Sequence, residues 1–160
     1  PLAVLRSRAL SGLDAPEVTV EVHLANGLPS FTIVGLPDTE VKESRDRVRA
    51  ALVNSRFEFP ARRITVNLAP AHLRETGSAF DLAIAVALLA VSGEPLDDPA
   101  GCLFLGELAL DGSLRAVPGV LPILIEARDR GFRRAVVPRA NLPEASLVPG
   151  LRVRGASNLL

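Results

Sequence analysis

The sequence predicts a mixed α/β domain, and three observations carry that expectation. Val18 to Leu24 alternates strictly: Val18, Val20, Val22 and Leu24 are apolar, while Thr19, Glu21 and His23 are polar, as in a half-buried strand. A run from about Phe80 to Val91 is rich in Ala and Leu and too long for an ordinary strand. It reads as a helix that is apolar on every side and therefore buried in the core. The remaining segments interleave in the order βββ-α-β-α-ββ-α-β-α-β, which calls for helices on one or both faces of a sheet.

Leu2–Leu10 opens the chain as a strand, and Asn26-Gly27 marks a turn between Val18–Leu24 and a third strand, Phe31–Val34. These three strands are expected to form an antiparallel meander, broken by Gly35 and Pro37. Asp38 or Thr39 should cap a helix running to about Ser55, with Val41, Val48 and Leu52 as its apolar stripe. Glu43 and Arg47 form an i,i+4 pair on it. Ile64–Leu68 is a short strand, and Pro70 begins the loop to the buried helix. Glu94–Gly101 is a Pro/Asp loop. Leu103–Leu110 and Leu114–Val117 flank Asp111-Gly112, the best hairpin signal in the chain. Pro118 or Gly119 starts a helix to about Arg130, closed by Gly131. Ala135–Val137 is a strand, Leu142–Leu147 a short helical piece and Leu151–Arg154 a last strand.

The length of 160 residues is that of one domain able to bury a proper core. Lys+Arg and Asp+Glu both number 18, so net charge argues for neither nucleic acid nor a membrane surface. Lys42 is the only lysine; every other basic residue is arginine, which favours bidentate contacts to carboxylate or phosphate. Cys102 stands alone, so no disulfide forms within the chain and an intracellular compartment is the simplest reading. The buried helix is shorter than the ~20 residues that span a bilayer. The missing initiator Met and the end at Asn158-Leu159-Leu160 lead us to expect a fragment of a longer protein.

Several chemistries lack their residues. The only lysine follows Val41, so there is no G-x-x-x-x-G-K-[ST] phosphate loop, and G-x-G-x-x-G is absent too. His23 and His72 lie outside any His/Cys metal spacing; His23 reads as a surface histidine, Cys102 as a small core residue and Asp97-Asp98 as a solvated loop. Ser78, in Gly77-Ser78-Ala79 ahead of the buried helix, occupies a place that suits a nucleophile or a cap. As a nucleophile it would need a base, and in a Ser-Lys pair only Lys42 is available. Lys42, Arg45 and Arg49 share a face of the first long helix, and Arg62-Arg63 follow it. Interleaved Glu40, Glu43, Asp46 and Glu58 also permit a solvated, paired face.

Three long stretches carry a family resemblance: VHLANGLPSFTIVGLPDTEVKESRDRVRAAL, RITVNLAPAHLRETGSAFDLAIAVALLAVSG and FLGELALDGSLRAVPGVLPILIEARDRGF. In order, over nearly the whole chain, they resemble the N-terminal domain of the magnesium-chelatase-like AAA+ proteins of the ComM group. More distantly, Glu43-Ser44 and Gly106-Glu107-Leu108 with Gly112 are similar to segments of the Lon proteolytic domain. That likeness implies a Lon-type fold, seen also in a ribosomal protein and in small-molecule kinases. Aligned on Lon, the nucleophile position carries Ala79, or Ser78 after a shift by one residue, and the general-base lysine position carries Leu121. Leucine cannot accept a proton, so the resemblance implies a degenerate dyad.

The resemblance further implies a bacterial cytoplasmic protein in which this domain precedes an AAA+ module. That module would bind ATP and Mg and assemble into hexamers that promote DNA branch migration during natural transformation. This domain would then be a non-catalytic accessory part with no cofactor of its own, acting in ring assembly and in DNA contact through Lys42, Arg45, Arg49, Arg62 and Arg63. The alternatives are a Lon-like serine peptidase using Ser78 and a pure oligomerisation module.

Overall fold

The computed structural model describes residues 1–9, 16–69, 77–94, 99 and 101–159. Pro70, His72, Asp97-Asp98 and the Arg74 approach to the buried helix lie outside the described residues.

A seven-stranded sheet forms the frame. Its strands are β1 (Leu2–Arg8), β2 (Glu17–Ala25), β3 (Ser30–Val34), β4 (Arg63–Ala69), β5 (Cys102–Phe104), β8 (Arg134–Pro138) and β9 (Arg152–Ala156), in the order β3-β4-β2-β1-β5-β8-β9. β6 (Glu107–Leu108) and β7 (Leu114–Arg115) make a separate antiparallel pair around the Asp111-Gly112 turn. The helices are α1 (Asp38–Asn54), α2 (Asp81–Val91), α3 (Val120–Asp129) and α4 (Leu142–Ala145). A 3-10 turn, Gly77–Phe80, precedes α2, and another, Arg139–Asn141, precedes α4. The mixed α/β class is as expected.

The two halves of the sheet are covered on opposite faces. Val18, Val20, Val22 and Leu24 of β2, with Ile64, Val66 and Leu68 of β4, are buried in one core with Val48 and Leu52 of α1 and Ile84 and Leu88 of α2. Ala135 and Val137 of β8 turn the other way, into a second core with Val120, Ile123, Leu124 and Ala127 of α3 and Ala145 of α4. Alternate residues on a strand point to opposite faces. Cys102 and Phe104 of β5 therefore face the first core while Leu103 between them faces the second. The strand β5 is where the cover changes sides.

Three expectations need correcting. The meander does not form: β1 and β2 pair antiparallel, but β4 takes the other edge of β2, and β3 lies outside β4 and parallel to it. β4 matches β2 over seven residue pairs, Thr19↔Ala69 to Ala25↔Arg63, which sets Val20, Val22 and Leu24 opposite Leu68, Val66 and Ile64. With β3 and β4 parallel, α1 becomes the crossover between them and is laid over the first core.

Leu103–Leu110 is not one strand either, because Gly106 divides it. Its N–H donates to the Ala79 carbonyl at 3.0 Å and its carbonyl accepts from Leu82 N–H at 3.1 Å, which locks the chain to the start of α2. A Cβ there would stand 2.8 Å from Leu114 Cδ2 and 3.3 Å from Leu82 Cβ, so a larger residue would have to displace the Leu114 side chain. Finally, neither Asp38 nor Thr39 occupies the cap of α1. Pro37 holds that position with ψ 150°, and no side-chain cap bond forms.

Candidate functional site

The most concentrated chemistry lies where α1, α2 and the β6–β7 hairpin meet. Asp81 opens an otherwise apolar helix and is fully buried. Its carboxylate accepts from Arg47 Nε at 2.6 Å, Arg47 Nη2 at 3.3 Å, Ser44 Oγ at 3.0 Å and Leu108 N–H at 3.2 Å. Ser44 and Arg47 lie three residues apart on α1 and so share one face of it. Arg47 also reaches Glu43 Oε2 at 3.8 Å, the i,i+4 pair expected from the sequence. Burial pushes the Asp81 carboxyl up to about 6, against the opposing pull of Arg47, the Leu108 amide and the Ser44 hydroxyl. Sequence reasoning missed this network. The one available signal was an aspartate at the first position of a helix with no other polar residue.

Ser78 and Ala79 sit in the 3-10 turn leading into α2, both half-buried. The cap position of α2 is Phe80, which makes no side-chain cap bond, so Ser78 does not cap that helix. Ala79 and Leu121, the two positions singled out by the Lon likeness, both pack against the second core, although 42 positions separate them in sequence. Lys42 is exposed on α1. Among the described residues no group of three or more His, Cys, Asp or Glu is placed to hold a metal ion. His23 is exposed, with Nδ1 3.1 Å from the Pro1 carbonyl. Cys102 is buried and its thiol is pushed up by that burial.

Four of the five basic residues singled out from the sequence, Arg45, Arg49, Arg62 and Arg63, meet at the β3 edge. Arg45 Nη1 donates to the Phe31 carbonyl at 3.1 Å. The Arg49 guanidinium stands over the ring of Phe59 at 4.9 Å and that of Phe31 at 6.0 Å. Arg63 pairs with Ser30 across β3 and β4, and the Arg62 carbonyl accepts from Ser30 N–H. Arg45 and Arg49 thus hold α1 onto β3 and Phe59, while Lys42 and Arg63 remain exposed. A cavity of about 530 Å³ lies elsewhere, beside β1 and the end of α3, with Arg6, Glu17, Arg130 and Phe132 in its lining. Ser78, Ala79 and Leu121 are not part of it. No helix among the described residues is long and apolar enough to cross a membrane.

Comparison with known proteins locates the chain. Residues 20–141, more than half of it, match the family described as subunit ChlI of Mg-chelatase. The competence protein ComM of Haemophilus influenzae is 50% identical over 163 aligned residues, covering 99% of this chain and 31% of that protein. YifB of Salmonella typhimurium is 50% identical over 148 residues, covering 92% of this chain and 29% of that protein. The DNA repair protein RadA of Bacillus subtilis is 35% identical over 81 residues, covering 51% of this chain and 18% of RadA. The chain therefore spans about a third of the length of the ComM and YifB relatives it matches. On the family match and on identity carried along nearly its whole length, the chain belongs to the magnesium-chelatase-like family of ComM and YifB, at the N-terminal domain of that family.

Proposed function

We propose that this chain is the accessory domain of a ring-forming AAA+ ATPase that moves branched DNA during natural transformation. It contributes assembly surface and DNA contact rather than bond-breaking chemistry. The observation that carries this reading is the 50% identity to a protein named for competence, maintained over 99% of the chain. The shorter likeness to a DNA repair protein points the same way. ATP and Mg would bind in the AAA+ module, outside these residues, since residues 1–160 contain no phosphate loop. DNA contact would use the β3 side of α1, with Lys42 and Arg63 meeting phosphate and Arg45, Arg49 and Arg62 shaping that face. Ala79 and Leu121, packed on one apolar cluster, support the non-catalytic reading, because neither can move a proton. A peptidase using Ser78 would have to recruit Lys42, which is exposed on α1.

The test uses the full-length protein and a version lacking residues 1–160. ATP hydrolysis should persist in the shortened protein, while hexamer formation and migration of a synthetic four-way DNA junction should fall at least tenfold. Unchanged junction migration would sink the proposal. A wild-type peptidase activity abolished by Ser78→Ala would replace it with the peptidase reading.

A further inference from the structure

Three helices end in the same way, but one of them carries a side chain where the other two have glycine. At α2 the Gly93 N–H donates to the Ala90 carbonyl and the Glu94 N–H to the Leu89 carbonyl. At α3 the Gly131 N–H donates to the Arg128 carbonyl and the Phe132 N–H to the Ala127 carbonyl. At α1 the same two bonds run from Arg56 N–H to Val53 and from Phe57 N–H to Leu52. This ending needs a left-handed residue just past the helix. Gly93 and Gly131 supply it with φ 102° and 95°, whereas Arg56 holds φ 69° and is the only residue other than glycine at positive φ among those described. Such a conformation is unfavourable for a residue with a Cβ and points to a use for its side chain. Arg56 is exposed, and no ion pair among the described residues accounts for it.

Arg56 adjoins an exposed apolar patch. Asn54 Nδ2 donates to the Leu110 carbonyl at 2.8 Å, which brings the tip of the β6–β7 hairpin to the residue beside Val53. Leu110 is 56% exposed and Val53 52%. The last described residues return to this tip: Leu159 N–H donates to the Gly112 carbonyl, and Asn158 bridges Ser113. Polypeptide continuing past Leu159 therefore leaves the domain close to Leu110. This chain covers 31% and 29% of its ComM and YifB relatives, so most of each relative lies outside the matched domain.

We propose that Val53, Arg56 and Leu110 form the surface on which the AAA+ module docks within the same polypeptide. This assignment rests on the reading of the chain as the accessory domain of an AAA+ ATPase. The size of the patch favours a tethered partner over a free one. A stable interface between separate proteins buries roughly 800 Å² on each partner. Two half-exposed aliphatic side chains and one arginine offer far less. A short linker, however, holds its module at an effective concentration of roughly millimolar, so a small patch suffices. The facing surface should offer an apolar contact to Val53 and Leu110 and a carboxylate to Arg56.

Amide hydrogen exchange tests this in the full-length protein, nucleotide-free and at concentrations where sedimentation shows a monomer, against the 160-residue chain. Residues 53–57 and 109–112 should exchange roughly tenfold more slowly in the full-length protein, while the exposed turn at 26–29 keeps its rate. Val53→Glu with Leu110→Glu should return both segments to the rate of the isolated chain, and slow exchange across α2 shows that the core is intact. If the Glu pair unfolds the chain, Arg56→Gly with Leu110→Ser replaces it. That pair eases the left-handed backbone, so the isolated chain should resist more urea while the full-length protein loses most of the protection. Equal rates in the two wild-type proteins overturn the inference, as does protection that survives both variants. Protection found only in the hexamer also overturns it, by assigning the patch to a neighbouring subunit. Junction migration is no part of this readout, so the two readings fail separately. Protection alongside migration that is indifferent to residues 1–160 sinks the accessory role, whereas absent protection with migration dependent on those residues sinks the docking alone.

Discussion

Asp81 shows how much one side chain can organise. Its carboxylate ties α1, α2 and the β6–β7 hairpin together through four hydrogen bonds, whose donors lie on three residues far from it in sequence, Ser44, Arg47 and Leu108. The group is held at about 6 in the fold, above the 3.8 of the free side chain, because burial disfavours its charge. Between pH 4 and pH 6 the unfolded chain has released a proton that the folded chain keeps. The contribution of Asp81 is therefore greatest below that window and declines as pH rises through it. Urea denaturation at pH 4.5 and pH 6.5 should show this decline in the wild type and lose its Asp81 component in Asp81→Asn. At neutral pH the same substitution should cost about 2 kcal/mol, because Arg47 loses its counter-charge but keeps some contact with water. The sequence offered Arg47 as the i,i+4 partner of Glu43 and Ser44 as part of the Lon-like Glu43-Ser44 segment; that both aim at Asp81 could not be read there.

At the level of elements, the turn between β6 and β7 depends on backbone freedom. Gly112 has φ +92°, and a Cβ on it would run into the Ser55 hydroxyl at the end of α1. Its N–H donates to the Ala109 carbonyl at 3.0 Å, and Asp111 Oδ1 closes the turn by accepting from Ser113 N–H at 2.9 Å. Gly112→Ala should lower stability by about 2 kcal/mol, from left-handed strain together with that clash. Adding Ser55→Ala should recover part of the loss in the same denaturation assay, since it removes the obstructing oxygen; no recovery would place the whole cost in the backbone. The hairpin itself was legible from Asp111-Gly112, as was the closure of α3 by Gly131 at φ +95°. The short extent of β6 was not, because it is Gly106, docked on Ala79 and Leu82, that ends the preceding strand.

Across the whole molecule the chain's end returns to its middle. Leu114 N–H donates to the Ser157 carbonyl at 2.9 Å, Leu159 N–H donates to the Gly112 carbonyl at 3.1 Å, and Leu159 packs against the first core. Ser113 and Asn158 form an antiparallel bridge. Residues 157–159 thus extend the hairpin across the boundary between the two cores. Ending the chain after Ala156 should cost about 2 kcal/mol and release the Leu114 amide to rapid hydrogen exchange. Protection of that amide unchanged from the wild type would refute the bridging role. The covering of the two sheet halves on opposite faces is a second property of this scale. It puts the exposed Arg152 and Arg154 of β9 and the exposed His23 of β2 and Thr65 of β4 on opposite sides of the sheet.

The sequence by itself determined the mixed α/β class, the buried helix, the extent of α1, the β6–β7 turn and the family. Each rests on local periodicity, on turn residues or on long matched stretches. Only the tertiary structure decided that β4 separates β3 from β2, that Asp81 is the hub of a buried polar network, and that Ala79 and Leu121 meet one apolar cluster. It also decided which arginines stand together at an edge. The physical reason is common to all four: strand pairing, burial of a charge and the gathering of distant side chains depend on which segments compete for the same neighbour. Alternation along a strand specifies its buried face but not its partner.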